Sequence, residues 1–363
     1  MPVFIIETEK MRHNICAVRQ YAKGREIIAV LKNDAYGLGL PMMARLLHEA
    51  AIQFFAVSQA TDALLLRSLY PKAKILMLNP VQNEKTLLSL LYNDIILSVS
   101  SLENAGFIQN LCGLCRLEAQ VHLEVDTGMG RFGLIDTDIQ AISRIYTDFP
   151  LLHPTGIFTH LYSCCNKRGS TQRQLSSFQS VLSALRQRGI HPGTSHAANS
   201  AALFLQATPP LDAVRVGSAF TGRICGKAHP ALQKVGYIRS EICEIKTFPK
   251  GRTIGYGGVY KTRRSTRAAI VPIGYGCGLH MTKAQDAYRP IDALRHAVAA
   301  LRCLLPSRRL NVTIGNRLLP VIGRIGMGHI IVDLKHHPYT LGEPVSIDSN
   351  LLLSGRLMQR DYI

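Results

Sequence analysis

Tryptophan is absent from this sequence of 363 residues, and acid is scarce: 24 Asp and Glu stand against 42 Lys and Arg, a formal net charge of +18. Such a surplus could draw nucleic acid, an anionic membrane or acidic metabolites. No RNA- or DNA-binding motif accompanies it, so no nucleic-acid partner is expected. The surplus is read as a solvated basic surface whose field favours a phosphorylated small molecule. No uninterrupted run of eighteen apolar residues occurs, which argues against a spanning helix and a membrane partner. The opening Met-Pro-Val-Phe-Ile-Ile-Glu-Thr-Glu-Lys lacks the basic region, apolar run and cleavage site of a signal peptide, and a cytoplasmic location is expected. No second CxxC and no matching His pair follow Cys112 and Cys115, so no metal is expected. The 9 cysteines are odd in number and irregular in spacing, and a chain this long needs no disulfide staples.

What is present is enough apolar material, 47%, for a large core and more than one domain. Short apolar runs at Ile27–Leu31, Phe54–Ser58, Ile75–Asn79, Ile95–Val99, Ala119–Asp126, Thr155–His160, Gly193–Ala197 and Ala213–Val216 read as strands. Amphipathic segments lie between them, such as Leu40–Ala51, Thr61–Tyr70, Asn83–Tyr92 and Thr171–Arg188. Strand and helix in alternation predict parallel pairing by right-handed crossovers. Eight such units are what a closed (β/α)8 barrel requires, with an open doubly wound sheet as the rival. After about Leu232 the pattern becomes strand-like runs broken by glycine and proline, which predicts a mainly β domain. The expected division is therefore a barrel over residues 1–232 and a β domain over 233–363, with a helical insertion near 283–309.

Chemistry-bearing side chains collect at the carboxyl ends of the predicted strands, where barrels build their sites. Lys32 closes the first strand and enters Asn33-Asp34-Ala35-Tyr36-Gly37-Leu38-Gly39. The fifth strand carries Glu124 and leads through a glycine-rich loop to Arg131. His160 ends the sixth, His196-Ala197-Ala198-Asn199-Ser200 follows the seventh, and Arg215-Val216-Gly217-Ser218 ends the eighth. Each has an ordinary structural explanation alone: a core imidazole, an ion-pair partner, a punctuating turn. Lysine, arginine, histidine, asparagine and serine on one face of a barrel do not.

These stretches resemble the alanine racemase family, in register over most of the chain. The resemblance implies a barrel that binds pyridoxal 5′-phosphate (PLP) and a β domain, in a homodimer whose sites each borrow residues from the partner. It implies that Lys32 carries the cofactor and serves as one catalytic base. Tyr36, Ser200, Gly217 and Ser218 match the family's phosphate cradle; His160 would flank the pyridine ring, with Asn199 orienting it. Arg215 would face the pyridine nitrogen, and since a guanidinium accepts no proton, the cofactor becomes a weak electron sink suited to racemisation alone. Thr253-Ile254-Gly255-Tyr256-Gly257 resembles the motif of the opposing base, Tyr256, given by the other subunit. Tyr275, in Pro272-Ile273-Gly274-Tyr275-Gly276, would line the substrate entrance; Arg131 and the backbone around Met327 would hold the amino-acid carboxylate.

The sequence also departs from the family. Where many members carry a carbamylated lysine, Glu124 offers a carboxylate that would orient Arg131 without modification. Gly326-Met327-Gly328 stands where Cys-Met-Asp is usual, and Gly355 falls near the place of a phosphate-side tyrosine. The expected reaction is interconversion of L- and D-alanine for peptidoglycan. The alternatives are racemisation of serine or another amino acid, or a non-catalytic PLP-binding homeostasis protein.

Overall fold

The computed structural model describes residues 1–165, 168–206, 211–225, 227–281, 288–302, 310–349 and 357–363. They form two compact units: Glu9–Val235, and Met1–Thr8 together with Gly236–Ile363.

The first unit is a closed barrel of parallel strands, β1 (Glu26–Val30), β2 (Phe54–Val57), β3 (Lys74–Met77), β4 (Ile96–Val99), β5 (Ala119–Asp126), β6 (Leu152–Thr159), β7 (Thr194–His196) and β8 (Ala213–Val216). Closure is explicit in the register: Leu97 of β4 pairs with Val121 of β5, and Ala213 of β8 pairs with Glu26 of β1. The open-sheet rival is thereby excluded. Strands covered on both faces read as near-continuous apolar runs, and β2, β4 and β8 are buried at every residue, with Ser98 and Arg215 the polar exceptions among them. The long helix Arg168–Gln187 turns Leu175, Phe178, Val181, Leu182 and Leu185 inward, at the spacing its sequence displays.

Period-two alternation fills the lower barrel interior with Ile28, Val30, Phe54, Ala56, Leu76, Ile96 and Ala213. The far side is polar. His122 on β5 meets Phe54 on β2 edge-on, with ring centroids 5.9 Å apart. Since β2 and β5 are not neighbours, that contact crosses the barrel.

The second unit is built on a nine-stranded sheet in the order Glu244–Phe248, Thr266–Val271, Ile330–Asp333, Arg317–Ile322, Asn311–Ile314, Pro344–Ile347, Gly236–Glu241, Val3–Ile6, Arg360–Tyr362. The first eight residues, assigned to the barrel by the sequence reading, belong here, and the chain passes between units at Val235 rather than Leu232. The cause is pairing: Val3–Ile6 lies antiparallel to Gly236–Glu241 and parallel to Arg360–Tyr362, burying Phe4, Ile5 and Ile6 completely. Within the expected insertion, Pro290–Arg302 is helical. Residues 282–287 and 303–309, and the stretch holding Gly355, lie outside the described residues.

One covalent link runs against expectation. Cys165, after β6, is disulfide-bonded to Cys225, after β8, across 60 residues of sequence. Nothing local announces it, because the barrel alone brings those two loops together. Among the described residues, no helix is long and apolar enough to cross a membrane.

Candidate active site

Lys32 is delivered by an unusual turn. After β1 the backbone enters the left-handed region and stays there, with φ of 53°, 56°, 52° and 59° at Asn33, Asp34, Ala35 and Tyr36 and 87° at Gly37. For residues with a Cβ this costs roughly 1–2 kcal/mol each. The turn is held by Ala35 N–H donating to Leu31 O (2.9 Å), Gly39 N–H to Asp34 O (3.1 Å) and Leu40 N–H to the Asp34 carboxylate (2.7 Å). Backbone strain of this kind concentrates where side-chain placement matters. Here it brings the Lys32 ammonium to 5.9 Å from the centre of the Tyr36 ring.

A cavity of about 460 Å3 opens among the strand ends, within the range of small-molecule sites. Lys32, Tyr36, Glu124, Arg131, His160, Asn199, Ser200, Arg215, Gly217 and Ser218 all line it. Ser58, Asn79 and Cys225, which sequence reasoning did not select, line it too. On one side, the Ser200 hydroxyl accepts from the N–H groups of Gly217 (3.1 Å) and Ala219 (3.3 Å). Gly217 has no Cβ for a reason: one built there would stand 2.5 Å from the Tyr36 hydroxyl. Burial pushes that phenol up to about 12, so it stays protonated and able to donate. Asn199 caps the following short helix through Ala202 N–H (3.0 Å) and donates to Leu161 O (3.3 Å), which ties down the chain just after His160.

Arg215 forms the floor. It is buried, and its guanidinium donates to Nδ1 of His196 (2.7 Å), His196 O (3.0 Å) and Thr159 O (2.7 Å), 4.8 Å from the Phe158 ring centre. All three acceptors are formally neutral. Burial pulls Arg215 down to about 10, which leaves it cationic at neutral pH. Its charge then acts on its neighbours. Burial first, then Arg131 and Arg215, lowers Lys32, favouring a free amine. Burial and the cations Arg215, Arg131 and Lys32 hold His160 down near about 3, so its imidazole is neutral.

Glu124 is the carboxylate among the lining residues. Its Oε2 is buried without a hydrogen-bond partner, and burial lifts the group to about 7 against the opposing pull of Arg215 and Arg131. Glu124 and Arg131 share the cavity, yet among the described residues no ion pair joins them; Arg131 instead lies over the Phe132 ring at 5.4 Å.

The remaining three expected residues sit in the β unit, exposed by 72% (Tyr256), 52% (Tyr275) and 63% (Met327). They are neighbours there. Tyr275 N–H donates to Gly326 O (3.1 Å) and Gly276 N–H to Met327 O (3.0 Å), and a Cβ on Gly326 would come within 3.6 Å of the Tyr256 ring. Three glycine-rich turns thus present two phenols and a thioether on one face of the unit.

Comparison with known proteins agrees on both units. The family model "Alanine racemase, N-terminal domain" matches residues 6–224, and "Alanine racemase, C-terminal domain" matches 235–356. An alanine racemase of Borreliella burgdorferi is 30% identical over 305 residues, covering 83% of this chain and 82% of that protein. One from Clostridium tetani is 30% identical over 357 residues, covering 96% and 85%. Among solved structures, alanine racemase of Clostridium difficile superposes with a TM-score of 0.85 at 24% identity, covering 100% of this chain and 95% of that one. That of Bartonella henselae, with covalently bound pyridoxal phosphate, gives 0.83 at 24%, covering 100% and 99%.

Proposed function

The chain belongs to the alanine racemase family, and from that premise we propose that it interconverts L- and D-alanine with PLP on Lys32, using Lys32 and the partner subunit's copy of Tyr256 as its two bases. The observation that carries the reading is the meeting of Lys32 and Arg215 in one cavity.

The residues fit the cofactor. Tyr36, Ser200, Gly217 and Ser218 supply hydroxyls and backbone for a phosphate, in a cradle that a Cβ on Gly217 would fill. Three cations, Lys32, Arg131 and Arg215, face one carboxylate, a charge balance that suits a phosphate and an amino-acid carboxylate together. When bound, PLP supplies an aldehyde for the Lys32 amine and an electron-withdrawing ring that acidifies the α-hydrogen of the amino acid.

Each side chain then has a limited task. Lys32, its proton affinity lowered by burial and two arginines, presents an amine that can take or return a proton at Nζ. Arg215 can donate but never accept, so a ring nitrogen held against it would stay unprotonated and its pull on the α-carbon would be weak. That restraint favours return of the proton over other outcomes. Arg131 binds the substrate carboxylate, with Glu124 acting on it only through its charge in the shared cavity and the backbone around the partner subunit's copy of Met327 completing the clamp. His160 would flank the ring as a neutral imidazole, and the partner subunit's copy of Tyr275 would line the entrance.

Tyr256 would act on the opposite face, which requires the Tyr256–Tyr275–Met327 surface of one chain to meet the barrel mouth of another. The protein is then a homodimer with shared sites. Its product D-alanine would serve peptidoglycan, made in the cytoplasm. Racemisation of an amino-acid panel by purified protein with PLP tests the substrate. Mixing inactive Lys32→Ala and Tyr256→Phe dimers tests the sharing: subunit exchange should restore about a quarter of wild-type activity, because half the dimers then hold one intact site of two. No recovery after proven exchange would exclude shared sites.

A further inference from the structure

Behind Arg215 lies a second imidazole to which the mechanism assigns nothing. His196 Nε2 is 2.8 Å from Nδ1 of His122, and both rings are buried in the barrel interior. The direction of every hydrogen in this chain follows from its first member. A guanidinium has only N–H donors, so His196 Nδ1, 2.7 Å from Arg215 Nη1, must offer its lone pair. The neutral ring then carries its hydrogen on Nε2 and donates it to Nδ1 of His122, which must in turn be bare. Burial and the Arg215 charge keep both rings in the neutral form.

The barrel makes room for this arrangement. Opposite His122 on β6 is Gly156, and a Cβ there would lie 2.5–2.7 Å from three atoms of the His122 ring. Phe54 meets the His122 ring edge-on, and Phe158 stacks on His196 with centroids 5.1 Å apart and planes 8° from parallel. The titratable and charged groups around the pair are Arg215, Lys74 and each other.

We propose that His122 is a positioning residue for Arg215: its Nδ1 accepts the Nε2 hydrogen of His196 and so holds that ring in the orientation in which its own Nδ1 accepts from the guanidinium. Without that acceptor the His196 Nε2–H is buried unpaired, the ring gains by turning toward another partner, and the guanidinium loses its side-chain anchor. The inference rests on Arg215 facing the cofactor ring, but its first test does not. Histidine labelled with 15N in the wild-type holoenzyme should report His196 and His122 as neutral, both protonated at Nε2, from pH 6 to pH 9. A hydrogen on Nδ1 of either ring overturns the proposal whether or not the protein racemises alanine.

The second test is a set of variants. His122→Leu removes the acceptor and should lower kcat about tenfold, with a smaller change in KM, a shifted cofactor absorption band and a displaced pH profile. His122→Asn places an amide oxygen where Nδ1 was and should restore the band and the pH profile. Gly156→Ala leaves every polar group in place but drives the His122 ring away, and should resemble His122→Leu. Asparagine and leucine variants that fold alike and share one spectrum and pH profile would show a packing role only, and the proposal fails. A wild-type enzyme inactive on alanine would fail the parent reading and leave the tautomer measurement to stand or fall by itself.

Discussion

The Tyr36 phenol lies against the bare Cα of Gly217, so close that a Cβ on Gly217 would stand 2.5 Å from the phenol oxygen. The two residues are 181 positions apart in sequence and meet only because β8 closes against β1. Gly217→Ala should displace the Tyr36 hydroxyl and lower PLP affinity about tenfold or more, since a buried polar group loses its place. Titration of the unloaded protein with PLP, followed by absorbance, measures this. Unchanged affinity would mean that the phenol is no part of the cradle.

Lys32→Ala should remove both the absorbance of the covalently held cofactor and all measurable activity. Tyr256→Phe should keep the absorbance and lose turnover in both directions, because each passage needs one group to remove the proton and the other to return it. Exchange of the α-hydrogen with deuterated solvent, followed separately from L- and D-alanine, should persist for the enantiomer that Lys32 faces and so separates the two roles. Full activity in either variant would remove it from the base pair.

Glu124 gives stability a pH dependence of definite sign. Its folded value is raised, from the ordinary 4.5 to about 7, chiefly by burial. The folded state therefore holds this proton more tightly than the unfolded chain, and stability falls as pH rises from about 4.5 to about 7. Glu124→Gln cannot ionise. It should gain stability over the parent as pH rises through that window, approaching about 3 kcal/mol above pH 7. Urea unfolding of the unloaded protein at pH 5 and pH 8 checks it; an equal effect at both would be wrong for a raised carboxyl.

The Cys165–Cys225 bridge closes a loop of 60 residues, for which chain-entropy reasoning gives about 4 kcal/mol. Treatment with a dithiol, or Cys165→Ser, should lower the barrel's unfolding midpoint, with the greatest added hydrogen exchange in the loops after β6 and β8. Cys225 also lines the cavity, so PLP affinity should fall with it. In a cytoplasm kept reducing by thiols, the open form would be the working one.

Much of the barrel was legible because parallel strands covered on both faces leave apolar runs, and every run but Ile95–Val99 carried or led into a residue that lines the cavity. The turn after Lys32 was not. Gly37 and Gly39 announce a positive φ and Asn33 tolerates one, but nothing in Ala35 or Tyr36 does; the bonds that hold them run within the turn itself. The strand Val3–Ile6 escaped notice because its partners lie more than 200 residues onward. His122 was hidden inside an apolar strand. The only hint lay in Gly156, which reads as a neutral residue until the two strands are set side by side. Glu124 reads from the sequence as a carboxylate that pairs with Arg131, while the absence of an ion pair between them is a matter of side-chain reach that no sequence displays.

The placement of Val3–Ile6 between Gly236–Glu241 and Arg360–Tyr362 has a consequence for synthesis. This strand leaves the ribosome before the barrel does, while its two neighbours leave after it. Through the whole interval in which residues 9–235 can collapse around their own core, four apolar residues trail without a sheet to join. The barrel is free to fold during translation, but the β unit cannot complete its sheet until Arg360–Tyr362 has emerged. That emergence, rather than the slow growth of the barrel, then becomes the moment at which the surface bearing Tyr256 is committed.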